Sequence, residues 1–260
     1  MKLKNKVAIV TGGNSGIGKG IALAFAKEGA NVAVVGRNVE RGNETVEEIK
    51  RLGADAIFVR ADVGETEDTK SYIARTIEAF GEINIMVNNA ALIHQARVVD
   101  VKEEDWDRII KTNLRSVFLG SKYAAIEMIR QGKGGRIINV SSIHAELSEP
   151  QAGAYTASKG GINAFTRTLA TEVAQHKITA NTLQPGATYT DLTIPMYTPA
   201  VTAALHKRIP LKAIAHVEDI ACGAVFMASD EAWYMTGQVL TIDGGYVMDG
   251  SLPDAEYWTE

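Results

Sequence analysis

The chain has 260 residues, 46% of them hydrophobic, and carries 27 Lys and Arg against 31 Asp and Glu for a net charge of −4. That apolar content suffices to bury a full core and excludes a disordered chain. The mildly acidic balance argues against nucleic acid or an anionic membrane as partner. A single cysteine, Cys222, leaves no intramolecular disulfide. No apolar run approaches the roughly 18 residues of a membrane span. The four apolar residues at 7–10 are too few for a signal-peptide core. A reducing, cytoplasmic location is the expectation.

Short Val- and Ile-rich runs at 7–10, 32–35, 56–59, 83–87, 137–140, 178–183 and 239–242 are predicted as strands. Their continuous rather than alternating apolar character suits a parallel sheet covered on both faces. Helical spacing fills the intervals: Ile17, Ile21 and Phe25, then Val46, Ile49 and Leu52, then Tyr72, Ile73, Ile77 and Phe80, with longer helices over about 103–130 and 155–175. Gly29, Gly53 and Gly81 follow the first three as helix stops. The alternation predicts one doubly wound α/β domain of Rossmann type over 1–260, a seven-stranded parallel sheet with helices on both faces. Residues 187–212 hold three of the six prolines and interrupt the pattern, which marks them as a substrate lid. Residues 246–260 form a C-terminal tail.

The first strand ends in Thr11-Gly12-Gly13-Asn14-Ser15-Gly16-Ile17-Gly18. Its glycines allow a tight turn and close approach of backbone to a phosphate, and the following helix aims its free N–H groups at the anion. Dinucleotide folds that take NAD place an acid about 20 residues further on, against the adenosine ribose. Here Gly36-Arg37-Asn38 stands at that point. A missing acid and a present arginine favour NADP over NAD, because a guanidinium pairs with a 2′-phosphate; otherwise Arg37 is a solvated loop cation. Asp62-Val63, after the third strand, either holds the adenine amine or serves as a turn or cap.

Tyr155 and Lys159 lie four apart at the start of a helix and so share a face. The carboxyl ends of parallel strands gather at one crevice. That brings the glycine loop, Asn88-Asn89-Ala90 and Ser141-Ser142 toward Tyr155. A free tyrosine has a pKa near 10, and one cation about 4 Å away contributes roughly 4 kcal/mol at an effective dielectric of 20, enough to bring a phenol to about 7. Tyr155 is thus expected as general acid/base and Lys159 as the group that lowers its pKa. Ser142 orients the substrate oxygen, its 13-residue spacing to Tyr155 favouring it over Ser141.

These motifs together resemble the short-chain dehydrogenase/reductase family over nearly the whole chain: TGGNSGIG at 11–18, Asp62, NNA at 88–90, Asn113, Ser142, YTASK at 155–159, PGATYT at 185–190 and DGG at 243–245. Ala91 departs from the family's usual glycine. The resemblance implies a catalytic set of Asn113, Ser142, Tyr155 and Lys159, with Asn113 holding a relay water and Lys159 the nicotinamide ribose. It implies a cofactor site of Gly12, Asn14, Ser15, Gly16, Ile17, Gly18, Arg37, Asn38, Asp62, Val63, Asn89, Ala90, Tyr155, Lys159, Pro185, Gly186, Thr188 and Thr190. It also implies a homotetramer, built through the two long helices and the last strand.

The expected substrate is a small carbonyl or alcohol. His144, Gln151 and His94 join Ser142 and Tyr155 as candidate substrate contacts, and this polar wall suggests a sugar or polyol. Ser-Ser-Ile-His, Pro150 and residues 158–162 are similar to members of the glucose 1-dehydrogenase type, and Glu146-Leu147 to gluconate-type members. A 3-oxoacyl acyl-carrier-protein reductase is the alternative; it needs a basic surface, for which Arg130, Lys133 and Arg136 are the nearby cluster. A non-catalytic NADP-binding sensor or scaffold is a third reading, against which the filled catalytic positions argue. The histidines show no metal-ligand spacing, so no metal site is expected. Cys222 and Trp106 are expected as packing residues, and Tyr257 and Trp258 of the tail as docking groups on another subunit.

Overall fold

A computed structural model describes residues 1–249. The strands are β1 (Val7–Thr11), β2 (Asn31–Gly36), β3 (Ala56–Arg60), β4 (Ile85–Asn88), β5 (Gly135–Val140), β6 (Ile178–Pro185) and β7 (Val239–Ile242). They form one sheet in the order β3-β2-β1-β4-β5-β6-β7, every neighbour parallel. The helices are α1 (Gly16–Lys27), α2 (Val39–Arg51), α3 (Thr66–Phe80), α4 (Glu103–Ile110), α5 (Ser116–Gln131), α6 (Gly153–Val173), α7 (Pro199–Arg208) and α8 (Val217–Ala228).

Two cores explain why the strand sequences are apolar throughout. Ala8 and Val10 of β1 pack with α1, α2 and α8 on one face, whereas Ile9 packs with α3, α5 and α6 on the other. Successive side chains point to opposite faces of a strand, so a sheet covered on both sides buries every residue. Gly29, Gly53 and Gly81 close α1, α2 and α3 with φ of 84–88°, the left-handed backbone that favours glycine at a helix stop.

The helix expected over 103–130 is two helices, α4 and α5, joined by a π-helical turn at Lys111–Arg115. One inserted residue per turn leaves the apolar pattern on either side intact, so periodicity does not register it; such turns cluster at functional sites. The lid region carries an unexpected helix, α7, and a 3-10 turn at Ile194–Met196. Cys222 is exposed rather than packed: Ala221 and Ala224 face the core, and the cysteine points away, its thiol donating to the Asp219 carbonyl. Trp106 is more than a third exposed. Of the tail, 250–260 lie outside the described residues, Tyr257 and Trp258 among them; within the described part, Arg208 stacks on the Tyr246 ring. No described helix is long and apolar enough to cross a membrane.

Candidate active site

The sheet order reverses direction between β1 and β4, and there a parallel sheet opens a crevice beyond its carboxyl ends. Thr11, the last residue of β1, fastens the two strand ends together. Its hydroxyl donates to the Val87 carbonyl and accepts the Asn89 and Ala90 N–H groups, while the Asn89 side chain donates to the Thr11 carbonyl. Asn89 and Ala90 therefore build the crevice floor.

The glycine loop fits a pyrophosphate. Gly12 and Gly16 have φ of 64° and 50°. A Cβ on Gly12 would come within 2.8 Å of Asn89 Nδ2, and one on Gly18 would strike the Gly12 carbonyl. Ser15 caps α1 with extended backbone and no side-chain bond, and Lys19 to Ser15 is the first backbone bond of the helix. The N–H groups before Lys19 are thus free for an anion, with the positive helix end behind them. Asn14 lies against Gly36, at the end of β2. Asn38 accepts the Arg41 N–H and caps α2, so its side chain is already employed. Arg37 beside it is exposed and has no protein partner among the described residues. Asp62 makes the turn that was one of its two alternatives, accepting the Gly64 N–H, and Val63 is buried next to it. Pro185 ends β6, and Gly186 packs against Asp243 so closely that a Cβ would stand 2.6 Å from its Cα. The Thr188 hydroxyl bonds the Gly186 carbonyl, and Thr190 and Thr193 bond each other. These two threonine hydroxyls hold the start of the 187–212 segment.

Tyr155 and Lys159 share one face of α6, as the spacing requires. Lys159 is buried, and its ammonium donates to the Val140 carbonyl at 2.9 Å and stands 5.5 Å from the centre of the Tyr155 ring. Burial pulls its pKa down to about 8. The Tyr155 pKa moves up, opposite to the expected direction. Loss of hydration is the dominant cause, a hydrogen bond with Ser142 opposes it, and Glu149 and Tyr197 add to the rise. Burial raises the phenol because its phenolate would lose hydration, and the Lys159 ammonium, turned to the Val140 carbonyl, does not offset that loss. The resting site therefore presents a protonated phenol bonded to a serine hydroxyl.

Ser142 also accepts the His144 N–H, which starts a 3-10 turn at Ile143–Ala145. The two serines differ in geometry: Ser141 spends its hydroxyl on the Lys159 carbonyl, 3.0 Å away, and fastens α6 to the end of β5. Asn113 lies in the π-helical turn. Its amide donates to the Leu92 carbonyl and to Ser158, and its oxygen accepts the Leu92 N–H. These bonds tie the 91–97 segment to the π-helical turn and, through Ser158, to α6.

Of the candidate substrate contacts, His144 lies closest to the chemistry. Its ring meets Tyr155 edge-on with centroids 6.4 Å apart, Nε2 faces Glu149 at 3.5 Å, and Nδ1 is buried without a partner. Gln151 is at the rim with φ of 70°, and its carbonyl accepts the Ala96 N–H, joining the two walls. His94 faces Asp105 at 3.4 Å, which ties its loop to α4. Glu146 reaches back to Gln184, itself bonded to Asn163. The sequence reading missed Glu149 and Tyr197. Tyr197 lies within the 187–212 segment, bonded to Thr188 and Thr193, with its ring edge-on to Tyr189 at 5.7 Å. No periodicity singles it out in a proline-interrupted stretch. Among the described residues no group of three metal-ligating side chains is positioned to hold an ion.

A family profile described as enoyl-(acyl carrier protein) reductase matches residues 12–247. The chain is 37% identical to a 3-oxoacyl acyl-carrier-protein reductase of Staphylococcus epidermidis, covering 94% of this chain and all of that one. It is also 37% identical to glucose 1-dehydrogenase 2 of Bacillus subtilis, covering 95% and 96% respectively. A crystal structure of a short-chain type dehydrogenase/reductase from Mycobacterium marinum superposes with a TM-score of 0.90 at 34% identity, covering 94% and 96%.

Proposed function

Because the chain belongs to the short-chain dehydrogenase/reductase family and is thus an oxidoreductase acting on CH–OH groups, we propose that it interconverts a sugar or polyol with its carbonyl counterpart, preferring NADP to NAD. The observation that carries the substrate class is the His144–Glu149 pair against the Tyr155 ring. Charged and hydrogen-bonding groups beside the reacting position suit a substrate with several hydroxyls, whereas a long acyl chain asks for apolar lining.

When bound, the reduced cofactor would give hydride to the carbonyl, and the oxidised one would accept hydride from the alcohol and place a positive charge beside the phenol. Arg37, the glycine loop and the free N–H groups of α1 would hold it. In reduction, Tyr155 gives its proton to the carbonyl oxygen while Ser142 orients that oxygen. In oxidation, Tyr155 accepts the alcohol proton once its pKa has been brought down. Lys159 holds positive charge in the buried site, and Asn113 keeps the 91–97 segment in place. The segment 187–212 would cover the substrate, with Tyr197 on its inner side.

A homotetramer is part of the proposal. It is supported by apolar surface without a partner on α5, where Phe118, Ile126 and Ile129 are exposed, and beyond α8, where Trp233 and Tyr234 stand well out. A cytoplasmic location follows the composition with its one cysteine.

The Staphylococcus relative supports a second reading, a 3-oxoacyl acyl-carrier-protein reductase, as well as the Bacillus relative supports the first. The basic cluster that reading called on does not serve it. Arg136 is at the start of β5, a strand length of roughly 20 Å from Ser142, and Arg130, Lys133 and Arg136 are paired with Glu127, Glu82 and Asp230. The test is the absorbance change of NADPH with a panel of ketoses, polyols and 3-oxoacyl esters. Turnover on the sugars or polyols is expected; turnover on the oxoacyl esters alone replaces the first reading with the second.

A further inference from the structure

We propose that Asp191 and Arg41 tune cofactor discrimination, with the lid carboxylate competing against the 2′-phosphate of NADP for one arginine. The inference rests on the NADP reading above and adds two residues that the glycine loop and Arg37 do not include.

Arg41 stands in the first turn of α2, four residues beyond Arg37, on the helix terminus capped by Asn38. This terminus adjoins the glycine loop, since Asn14 lies against Gly36. Arg41 donates to Asp191 at 3.0 Å, across 150 residues of sequence. Asp191 is held there by its neighbours. The Thr190 and Thr193 hydroxyls bond each other, Thr193 donates to the Thr188 carbonyl, and Thr190 lies against Gly16, where a Cβ would stand 3.4 Å from the threonine Cβ. Residues 190–191 thus touch both the glycine loop and α2, the two sides of the cofactor groove.

The corner therefore holds two arginines in different states. Arg37 is free, whereas Arg41 is partly neutralised by a carboxylate that belongs to the lid. A 2′-phosphate drawn in by Arg37 brings a second anion within reach of Arg41, and a guanidinium with unused donors turns to it. The work of loosening the Asp191 pair then subtracts from NADP binding but not from NAD binding. Both partners are more than half exposed, so the pair is an ordinary surface one and its effect is about 2–5-fold.

The test measures dissociation constants of NADP and NAD by calorimetry on the full chain. Asp191→Asn keeps the shape and removes the charge. It is expected to tighten NADP about 2–5-fold and to move NAD less than twofold. Arg41→Gln should weaken NADP selectively, and adding Asp191→Asn to it should change nothing further. Equal changes for both cofactors, or full additivity in the double variant, overturn the inference and leave Asp191 as a lid support. A wild-type chain that prefers NADP through Arg37, with Asp191→Asn without effect, overturns this inference alone. A wild-type chain that binds NAD as tightly as NADP overturns the NADP reading with it.

Discussion

Lys159 donates to the Val140 carbonyl while its ammonium lies 5.5 Å from the centre of the Tyr155 ring. The lysine is thereby anchored to the end of β5, and the tyrosine is the member of the pair left to meet substrate. Tyr155→Phe removes one hydroxyl and keeps the ring that packs on His144. Turnover is expected to fall by about 10²–10⁴, the range for a lost acid/base group, with the cofactor dissociation constant within twofold of wild type. Steady-state kinetics and a fluorescence titration measure the two. Turnover at the wild-type rate in this variant contradicts the assignment.

The upward shift of Tyr155 sets the sign of the pH dependence. A phenol raised above its usual value stays protonated through neutrality. Carbonyl reduction, which consumes that proton, should be flat from pH 6 to about 8. Alcohol oxidation needs the phenolate and should rise across the same interval. Initial rates in both directions at constant ionic strength test this; an oxidation rate that falls as pH rises through 6–8 runs against it.

Lys159 predicts a stability effect of the opposite sense to an ordinary ion pair. Its folded pKa is about 8 against 10.5 for the free group, and burial is the cause. Below pH 8 the folded chain carries a buried ammonium and bears its full cost. Between 8 and 10.5 the unfolded chain binds more protons than the folded one, so stability rises with pH. Lys159→Met removes the charge and should stabilise the chain at pH 7 by up to about 3 kcal/mol, from 1.36 kcal/mol per pKa unit. The gain should shrink toward zero by pH 10.5. Urea midpoints at pH 7 and pH 10 read the difference, and a variant less stable than wild type at pH 7 counts against the buried charge.

The adjacent serines differ in their part in turnover. Ser141 is bonded to the Lys159 carbonyl, and Ser142 is bonded to Tyr155. Ser141→Ala should cost about 0.5–1.5 kcal/mol of stability, the net worth of one hydrogen bond, with a smaller effect on kcat. Ser142→Ala should lower kcat far more than Ser141→Ala does, with about 1 kcal/mol of stability lost with the bond to the His144 N–H. The reverse pattern would reassign the substrate contact to Ser141.

The sequence made the sheet legible because burial on both faces turns every strand into an apolar run, and because Gly29, Gly53 and Gly81 mark where helices must stop. It made Tyr155, Lys159 and Ser142 legible because helix periodicity and the gathering of strand ends translate spacing into proximity. What it could not show depends on contacts between distant segments. The direction of the Tyr155 shift depends on how deeply the fold buries the phenol and on Glu149 and Tyr197 brought beside it as charges, and neither of those two lies in a periodic pattern. Asn113 and Asn89 show the same limit: each spends its amide on backbone of another segment, Leu92 and Thr11. The π-helical turn at Lys111–Arg115 adds its residue without disturbing the apolar faces.

Arg37 is the simplest test of cofactor preference, because it is exposed and among the described residues no protein group pairs with it. Its guanidinium can form a charge-assisted bond only with what enters the groove. Arg37→Ala should weaken NADP by about 1–3 kcal/mol, the loss of a hydrogen bond to a charged group, and leave NAD nearly unchanged, since NAD lacks the phosphate. Raised salt should shrink the wild-type preference as well, because an exposed ion pair is screened. Calorimetric titration of both cofactors at two ionic strengths reads both effects. Equal loss for NADP and NAD would place Arg37 in the support of the β2–α2 turn and return the cofactor question to Asn14 and the glycine loop.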